Sequence, residues 1–194
     1  MTRTLEFFFD FGSPTTYLAW TQIRGLAART GADLVWRPFL LGGVFKATGN
    51  ASPVTIPAKG RYMVRDMARY AKQYGVPMVM NPHFPINTLP LMRGAVSCQM
   101  DGPFDDYVGL VFRALWERGL NLGDPEVLEA TLRTGGLDPH DFAARIQRPD
   151  VKERLVANTD EAVRRGAFGA PTFFVGEEMF FGQDRLPALE QWLR

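Results

Sequence analysis

The stretch Leu5-Glu6-Phe7-Phe8-Phe9-Asp10-Phe11-Gly12-Ser13-Pro14 decides the reading of this chain. Its aromatic run alternates little, as expected of a strand buried on both faces. The strand runs out at Gly12. Ser13 then stands where a helix N-cap belongs, with Pro14 at the first helical position. The same geometry gathers backbone N–H groups and the positive end of a helix dipole, which makes an anion site. Ser13 is therefore either a plain cap or a cap whose hydroxyl also meets a ligand.

Working outward, Pro14 to Thr30 carries Ala19, Ile23, Leu26 and Ala27 on one helical stripe, and Gly31 is the stop. Ala32–Phe39 reads as a second strand, with Leu34, Trp36 and Pro38 alternating against Val35 and Arg37. A strand, helix and strand of this length predict a right-handed βαβ unit with parallel strands. Leu40–Pro57, rich in glycine, proline and small residues, is expected to be a functional loop with at most a short helical turn, and Lys46 and Asn50 are its notable polar members.

From Lys59 to Gly166 the pattern is helical throughout. Met63, Met67, Tyr70 and Tyr74 make one stripe. Thr88–Met100 and Phe104–Arg118 follow, then two short helices opened by Asp124-Pro125 and Asp138-Pro139, then Val151–Arg165. Strand character returns in Pro171–Val175. A turn at Gly176-Glu177-Glu178 leads to Met179-Phe180-Phe181, which pairs back as a hairpin. Gly182-Gln183-Asp184 opens a last helix over Arg185–Trp192, with Asp184 as its expected cap.

The bulk properties restrict the function. The chain has 194 residues and a formal net charge of +1, which suits one domain carrying a large insertion and gives no support to a nucleic-acid partner. Arg61, Arg65, Arg69 and Lys72 fall at helical spacing and read as a solvated face. Cys98 is the single cysteine. It can make no internal disulfide, and its apolar neighbours predict a buried, inert thiol. His83 and His140 lie far apart, so no metal is expected. The N-terminus enters a strand almost at once, with no basic region leading a long apolar stretch, and no apolar run is long enough to span a bilayer. A cytoplasmic protein without membrane contact is the expectation.

The order of elements, βαβ, a helical block, then ββα, is that of an α/β, thioredoxin-like sheet. It divides the chain into a thioredoxin-like part at 1–45 and 166–194 and a loop and all-helical insertion at 46–165. In such a sheet, the proline of Phe168-Gly169-Ala170-Pro171-Thr172 faces the start of the first helix through a cis bond. The preceding N–H and C=O, here of Ala170, then pair with an extended peptide as one rung of an added strand. The alternative is a trans proline that merely starts an edge strand.

Thioredoxin-like folds normally carry CxxC where this chain has Ser13-Pro14-Thr15-Thr16. Phe9-Asp10-Phe11-Gly12-Ser13-Pro14 with Tyr17-Leu18-Ala19 resembles the 2-hydroxychromene-2-carboxylate isomerase family. That family is close to the kappa-class glutathione transferases and belongs to the wider DsbA-like group. Gly169-Ala170-Pro171-Thr172-Phe173, Phe181-Gly182-Gln183-Asp184-Arg185-Leu186 and Phe45-Lys46-Ala47-Thr48-Gly49-Asn50 resemble its later and middle motifs, so the likeness runs over nearly the whole chain.

The resemblance implies glutathione as cofactor, because a serine at position 13 supplies no redox sulfur of its own. Ser13 would donate its O–H to the glutathione sulfur. Ala170, at the Pro171 turn, would hold the cysteinyl backbone. Gly182, Gln183 and Asp184 would meet the γ-glutamyl end, unless Asp184 is only a cap. The implied reaction converts 2-hydroxychromene-2-carboxylate to trans-o-hydroxybenzylidenepyruvate. Charge developing on the pyruvoyl oxygens would be met by Lys46, Asn50 and Asn87. The implied partner is therefore a small aromatic or unsaturated keto acid, and relatives suggest a homodimer by analogy. Two other functions fit the same residues: a kappa-type transferase that leaves glutathione on an electrophile, and a glutathione- or peptide-binding module without catalysis.

Overall fold

The computed structural model describes residues 3–194. Its sheet has four strands in the order β2-β1-β3-β4. Strand β1 (Thr4–Phe9) is central. It pairs in parallel with β2 (Asp33–Pro38) and antiparallel with β3 (Thr172–Val175), and β4 (Glu178–Phe181) closes the edge as a hairpin on β3. This is the βαβ…ββα arrangement that the order of elements predicts.

The phenylalanine run of β1 exists because both faces of the strand are covered. Phe7 and Phe9 point into the large core, where the Phe7 ring stacks on Phe173 at 5.1 Å and meets Trp36 at 5.4 Å. Phe8 points the other way, into a smaller core with Phe39, Val44, Ala162 and Phe174. All three are fully buried, so a strand that usually alternates apolar and polar has no polar face to present.

Helix α1 (Pro14–Thr30) starts and stops where the sequence predicts. Ser13 is its N-cap and accepts from the Thr16 N–H at 3.2 Å, and Gly31 closes it at φ 68°. Asp124 and Asp138 cap α6 (Pro125–Thr134) and α7 (Pro139–Arg145), as expected. Between α1 and those helices lie α2 (Leu41–Thr48), α3 (Pro57–Tyr74), α4 (Leu89–Asp101) and α5 (Phe104–Trp116). Helix α8 (Pro149–Arg164) precedes the hairpin and α9 (Leu186–Leu193) follows it.

Three expectations are corrected. The segment after β2 is not mostly loop, since residues 41–48 form α2. Gly42 and Gly43 disfavour a helix locally, but the tertiary structure caps it. Leu41 N–H donates to Asp10 Oδ2 at 2.7 Å, Leu40 N–H donates to Thr159 Oγ1 at 2.9 Å, and Val44 is buried. The block from 59 to 166 is not helical throughout. Residues 75–88 are irregular, with prolines at 77, 82 and 85 that supply no N–H. That segment is tied down from outside: Asn81 donates to the carbonyls of Leu115 and Leu120, Tyr17 O–H donates to Pro77 O, and Val79 N–H donates to Trp116 O. Finally, Asp184 does not cap the last helix. It lies in a 3-10 turn over Gln183–Arg185, and α9 begins after it without a side-chain cap.

The helical block shares one core with the sheet. Phe11, Tyr17 and Ile23 are buried with Leu91, Phe112, Trp116 and Leu132, and the Trp116 indole N–H donates to Phe11 O at 2.8 Å. Helix α2 itself runs across residues 45 and 46. Cys98 is buried among these helices, and burial pushes its thiol up to about 11. Among the described residues no helix is long and apolar enough to cross a membrane, and no group of three His, Cys, Asp or Glu gathers at metal-binding distance.

Candidate functional site

The sheet ends, the start of α1 and the helical block enclose a cavity of about 880 Å³. Ser13 stands on its wall. The first turn of α1 brings four polar atoms together there. Ser13 Oγ donates to the Ala170 carbonyl at 3.0 Å and lies 3.0 Å from Thr15 Oγ1. Thr15 Oγ1 is in turn 3.3 Å from the same carbonyl, and Thr16 N–H donates to Ser13 Oγ. The Ala170–Pro171 bond is cis, and the contacts of Ser13 and Thr15 with Ala170 O set this proline turn against the helix start, as the order of elements predicts.

Two further contacts join the Ala170 loop to the end of the hairpin. Gly182 N–H donates to Pro171 O at 3.0 Å, and the Phe168 and Phe181 rings lie 4.5 Å apart. Gly182 sits at φ 98°, and a Cβ there would come within 2.5 Å of Asp184 Oδ1. Glycine is required at that turn by both measures. The turn places Gly182, Gln183 and Asp184 on the cavity wall beside Ala170. Asp184 pairs with Arg185 at 2.7 Å, and Gln183 is buried, its backbone carbonyl accepting from Tyr74 O–H.

Beneath the site lies Asp10, wholly buried. Its Oδ1 accepts from Gly12 N–H at 2.8 Å and its Oδ2 from Leu41 N–H, and the Thr88 hydroxyl also donates to it. Burial raises its carboxyl above the ordinary aspartate range, although these donors pull the other way.

Of the residues named from sequence, Ser13, Ala170, Gly182, Gln183 and Asp184 come together on this cavity, while Pro171 lies behind the wall. Asn50 also lines it, but its amide already donates to Phe168 O at 2.8 Å and its Oδ1 accepts from Ala51 N–H, so it braces the loop that carries Ala170. Asn87 lines the opposite wall and its Oδ1 accepts from Leu89 N–H.

Lys46 does not line the cavity. As a helix, α2 turns Leu41, Gly42 and Phe45 toward the cavity and leaves Lys46 exposed on another face. The lysine on the wall is Lys59, in the first turn of α3. Sequence reasoning missed it because the face that α3 shows the cavity is set by tertiary packing. It also missed Thr15, for which the only signal is a second hydroxyl two residues beyond Ser13. The rest of the wall is mostly apolar, with Met63, Met67, Met80, Phe84, Ile86 and Val54 among its members beside Ser52, Thr55 and Thr88.

Comparison with known proteins assigns the chain to a family. The family model for the DSBA-like thioredoxin domain matches residues 4–194. A 2-hydroxychromene-2-carboxylate isomerase of Pseudomonas putida is 33% identical over 96% of this chain and 92% of its own length. Human glutathione S-transferase kappa 1 is 27% identical over 98% of this chain and 93% of its own. A solved structure of a 2-hydroxychromene-2-carboxylate isomerase superposes with a TM-score of 0.84 at 30% identity, covering 98% of this chain and 94% of that one. The chain belongs to the DsbA-like thioredoxin-domain family and, within it, to the family of 2-hydroxychromene-2-carboxylate isomerases.

Proposed function

We propose that this protein is a glutathione-dependent isomerase that converts 2-hydroxychromene-2-carboxylate to trans-o-hydroxybenzylidenepyruvate. The observation that carries the reading is the Ser13 hydroxyl and the Ala170 carbonyl, 3.0 Å apart on the wall of a large apolar cavity, in a chain with one remote cysteine. A redox role at this helix start would need a sulfur that Ser13 does not have.

The donor set fits the tripeptide. Ala170 presents a carbonyl to an extended backbone. Asp184 offers a carboxylate to the γ-glutamyl ammonium, and Gln183 a buried amide beside it. Ser13 and the α1 N-terminus offer an O–H and a dipole to an anion. Bound glutathione would supply a thiolate that adds reversibly to the conjugated carbon, so that the double bond becomes single, turns and re-forms when the sulfur leaves.

The protein's own part is to keep that sulfur ionised and to meet charge elsewhere. A hydrogen bond to a charged group contributes about 1.5–3 kcal/mol, which is about one to two pKa units. A thiol that titrates near about 8.5 in water would then be substantially ionised near neutrality. Lys59 is the cation placed to face the carboxylate and the pyruvoyl oxygen of the substrate, with Asn87 as a neutral donor. The methionines and phenylalanines of the wall suit a flat aromatic ring.

The test is turnover of 2-hydroxychromene-2-carboxylate with and without glutathione. Turnover that needs glutathione and returns it unchanged supports the reading; equal turnover without it refutes it. The likeness to the kappa transferases supports a second outcome from the same site. In that case the product would be a stable thioether and the glutathione would be consumed.

A further inference from the structure

Around Ser13 there are two hydroxyl protons for three close oxygen pairs. Ser13 Oγ to Ala170 O is 3.0 Å, Ser13 Oγ to Thr15 Oγ1 is 3.0 Å, and Thr15 Oγ1 to Ala170 O is 3.3 Å. The serine oxygen also receives Thr16 N–H. A carbonyl oxygen has two lone pairs, and both are within reach of these hydroxyls. Ala170 is buried, so its carbonyl is expensive to leave without a donor. The arrangement has a consequence for the Ser13 proton: as drawn it points at Ala170 O, and it can serve a sulfur only by leaving that carbonyl.

We infer that Thr15 is a positioning residue for the Ser13 proton, holding one lone pair of the Ala170 carbonyl while the other passes from the Ser13 hydroxyl to the backbone N–H of the docked peptide. This rests on the proposed binding of glutathione at Ala170. The peptide N–H takes the place that Ser13 occupies on the carbonyl. The Ser13 O–H then turns to the sulfur that the same peptide has delivered. Thr15 O–H stays on Ala170 O, or donates to Ser13 Oγ and polarises it further. Docking of the peptide backbone and stabilisation of the thiolate are thereby one event: the thiol proton is released to solvent, and the Ser13 and Thr15 hydroxyls keep theirs.

The threonine is suited to this by place as well as by chemistry. It sits two residues beyond the cap in the first turn of α1, on the cavity wall. Its hydroxyl reaches Ser13 and Ala170 and no other group among the described hydrogen bonds. Valine keeps the shape and removes only the O–H, whereas serine keeps the O–H.

The experiment titrates reduced glutathione bound to the protein by the ultraviolet absorbance of its thiolate, in the parent and in Thr15→Val, Thr15→Ala and Thr15→Ser, with kcat measured alongside. The parent is expected to bind the tripeptide with its thiol pKa below the free value. Thr15→Val and Thr15→Ala should raise that pKa by about half a unit to one unit and lower kcat by about three- to tenfold. Thr15→Ser should restore both. A thiol pKa in Thr15→Val equal to the parent's overturns the inference while leaving the glutathione reading intact, and so does a fall in kcat without a change in that pKa. Failure of both the Val and the Ala variants to fold assigns Thr15 to the architecture and overturns it too. If the parent binds no glutathione, the underlying reading fails and this inference falls with it.

Discussion

Ser13→Ala separates the two roles that one hydroxyl holds. As a cap, Ser13 Oγ receives Thr16 N–H at 3.2 Å, and losing such a cap costs about 1 kcal/mol. The Ala170 carbonyl keeps Thr15 as a donor at 3.3 Å, so no buried acceptor is orphaned. For a chain of this size about 1 kcal/mol lowers Tm by about 2–4 °C. The effect on turnover is larger and of a different kind. If the Ser13 hydroxyl lowers the glutathione thiol by about one to two units from about 8.5, the thiolate fraction at pH 7 falls about 8- to 25-fold when the hydroxyl is removed. The sign with pH follows: the defect should be largest below the free thiol value and shrink as pH rises through it, where the sulfur ionises unaided. The assay is kcat from pH 6 to about 9 for both proteins, with melting curves under the same conditions. A loss of rate that is the same at every pH, or one no larger than the loss of stability implies, would refute the reasoning.

Other outcomes follow from the geometry. Lys59→Met should raise KM for a carboxylate-bearing electrophile by about three- to tenfold with Tm unchanged, whereas Lys46→Met, on the outward face of α2, should leave KM as it was; steady-state kinetics on both decides between the two lysines. Gly182→Ala forces a side chain into φ 98° and within 2.5 Å of Asp184 Oδ1. It should cost about 1–3 kcal/mol and weaken glutathione binding, read by melting and by calorimetry. Glu6 lies between Arg165 at 2.6 Å and Arg37 at 2.7 Å. Burial pushes its carboxyl up, but the two guanidiniums outweigh it and the net direction is below the ordinary 4.5. Its stabilisation is therefore present above that value and lost as pH falls through the lower folded one. The stability gap between the parent and Glu6→Gln should be about 1–3 kcal/mol near neutrality and close in acid, as chemical denaturation at stepped pH will show.

What was legible in the sequence is what local chemistry decides. Ser13, Pro14 and Gly31 mark α1 because caps and stops depend on neighbours a few residues away. The three phenylalanines of β1 announce a strand with two covered faces. What was not legible depends on distant groups. Helix α2 carries two glycines and has no side-chain cap of its own; Asp10 and Thr159, far away in the chain, accept from its first N–H groups. Without that helix there is no rule that sends Lys46 outward. The Asp184 carboxylate looked like a cap because Gly182-Gln183-Asp184 precedes an apolar stripe. In the fold, the Gly182 N–H is drawn onto Pro171 O and the turn tightens to a 3-10 form, so that α9 begins later. Of the motifs that resemble a known family, the Ser13, Ala170 and Gly182–Asp184 segments meet on one cavity, whereas Lys46 of the middle motif faces away from it.

Asp10 shows how the fold and the site depend on each other. Folding buries it completely, no cation among the described residues pairs with it, and burial raises its carboxyl. A raised acid favours the folded state less as pH climbs from the ordinary aspartate value through the folded one, so above that window the charge is a net cost to stability. That cost is sustained by position. The main-chain carbonyl of Asp10 receives Ser13 N–H, and its side chain receives Gly12 N–H, Leu41 N–H and the Thr88 hydroxyl. Those donors belong to the turn that presents Ser13, to the start of α2 and to the residue before α4, all of which contribute to the cavity wall. An apolar side chain at position 10 would relieve the burial penalty and leave buried N–H groups without acceptors. The carboxylate therefore offsets its own burial by the N–H groups it satisfies, and in doing so it ties the Ser13 turn to the start of α2.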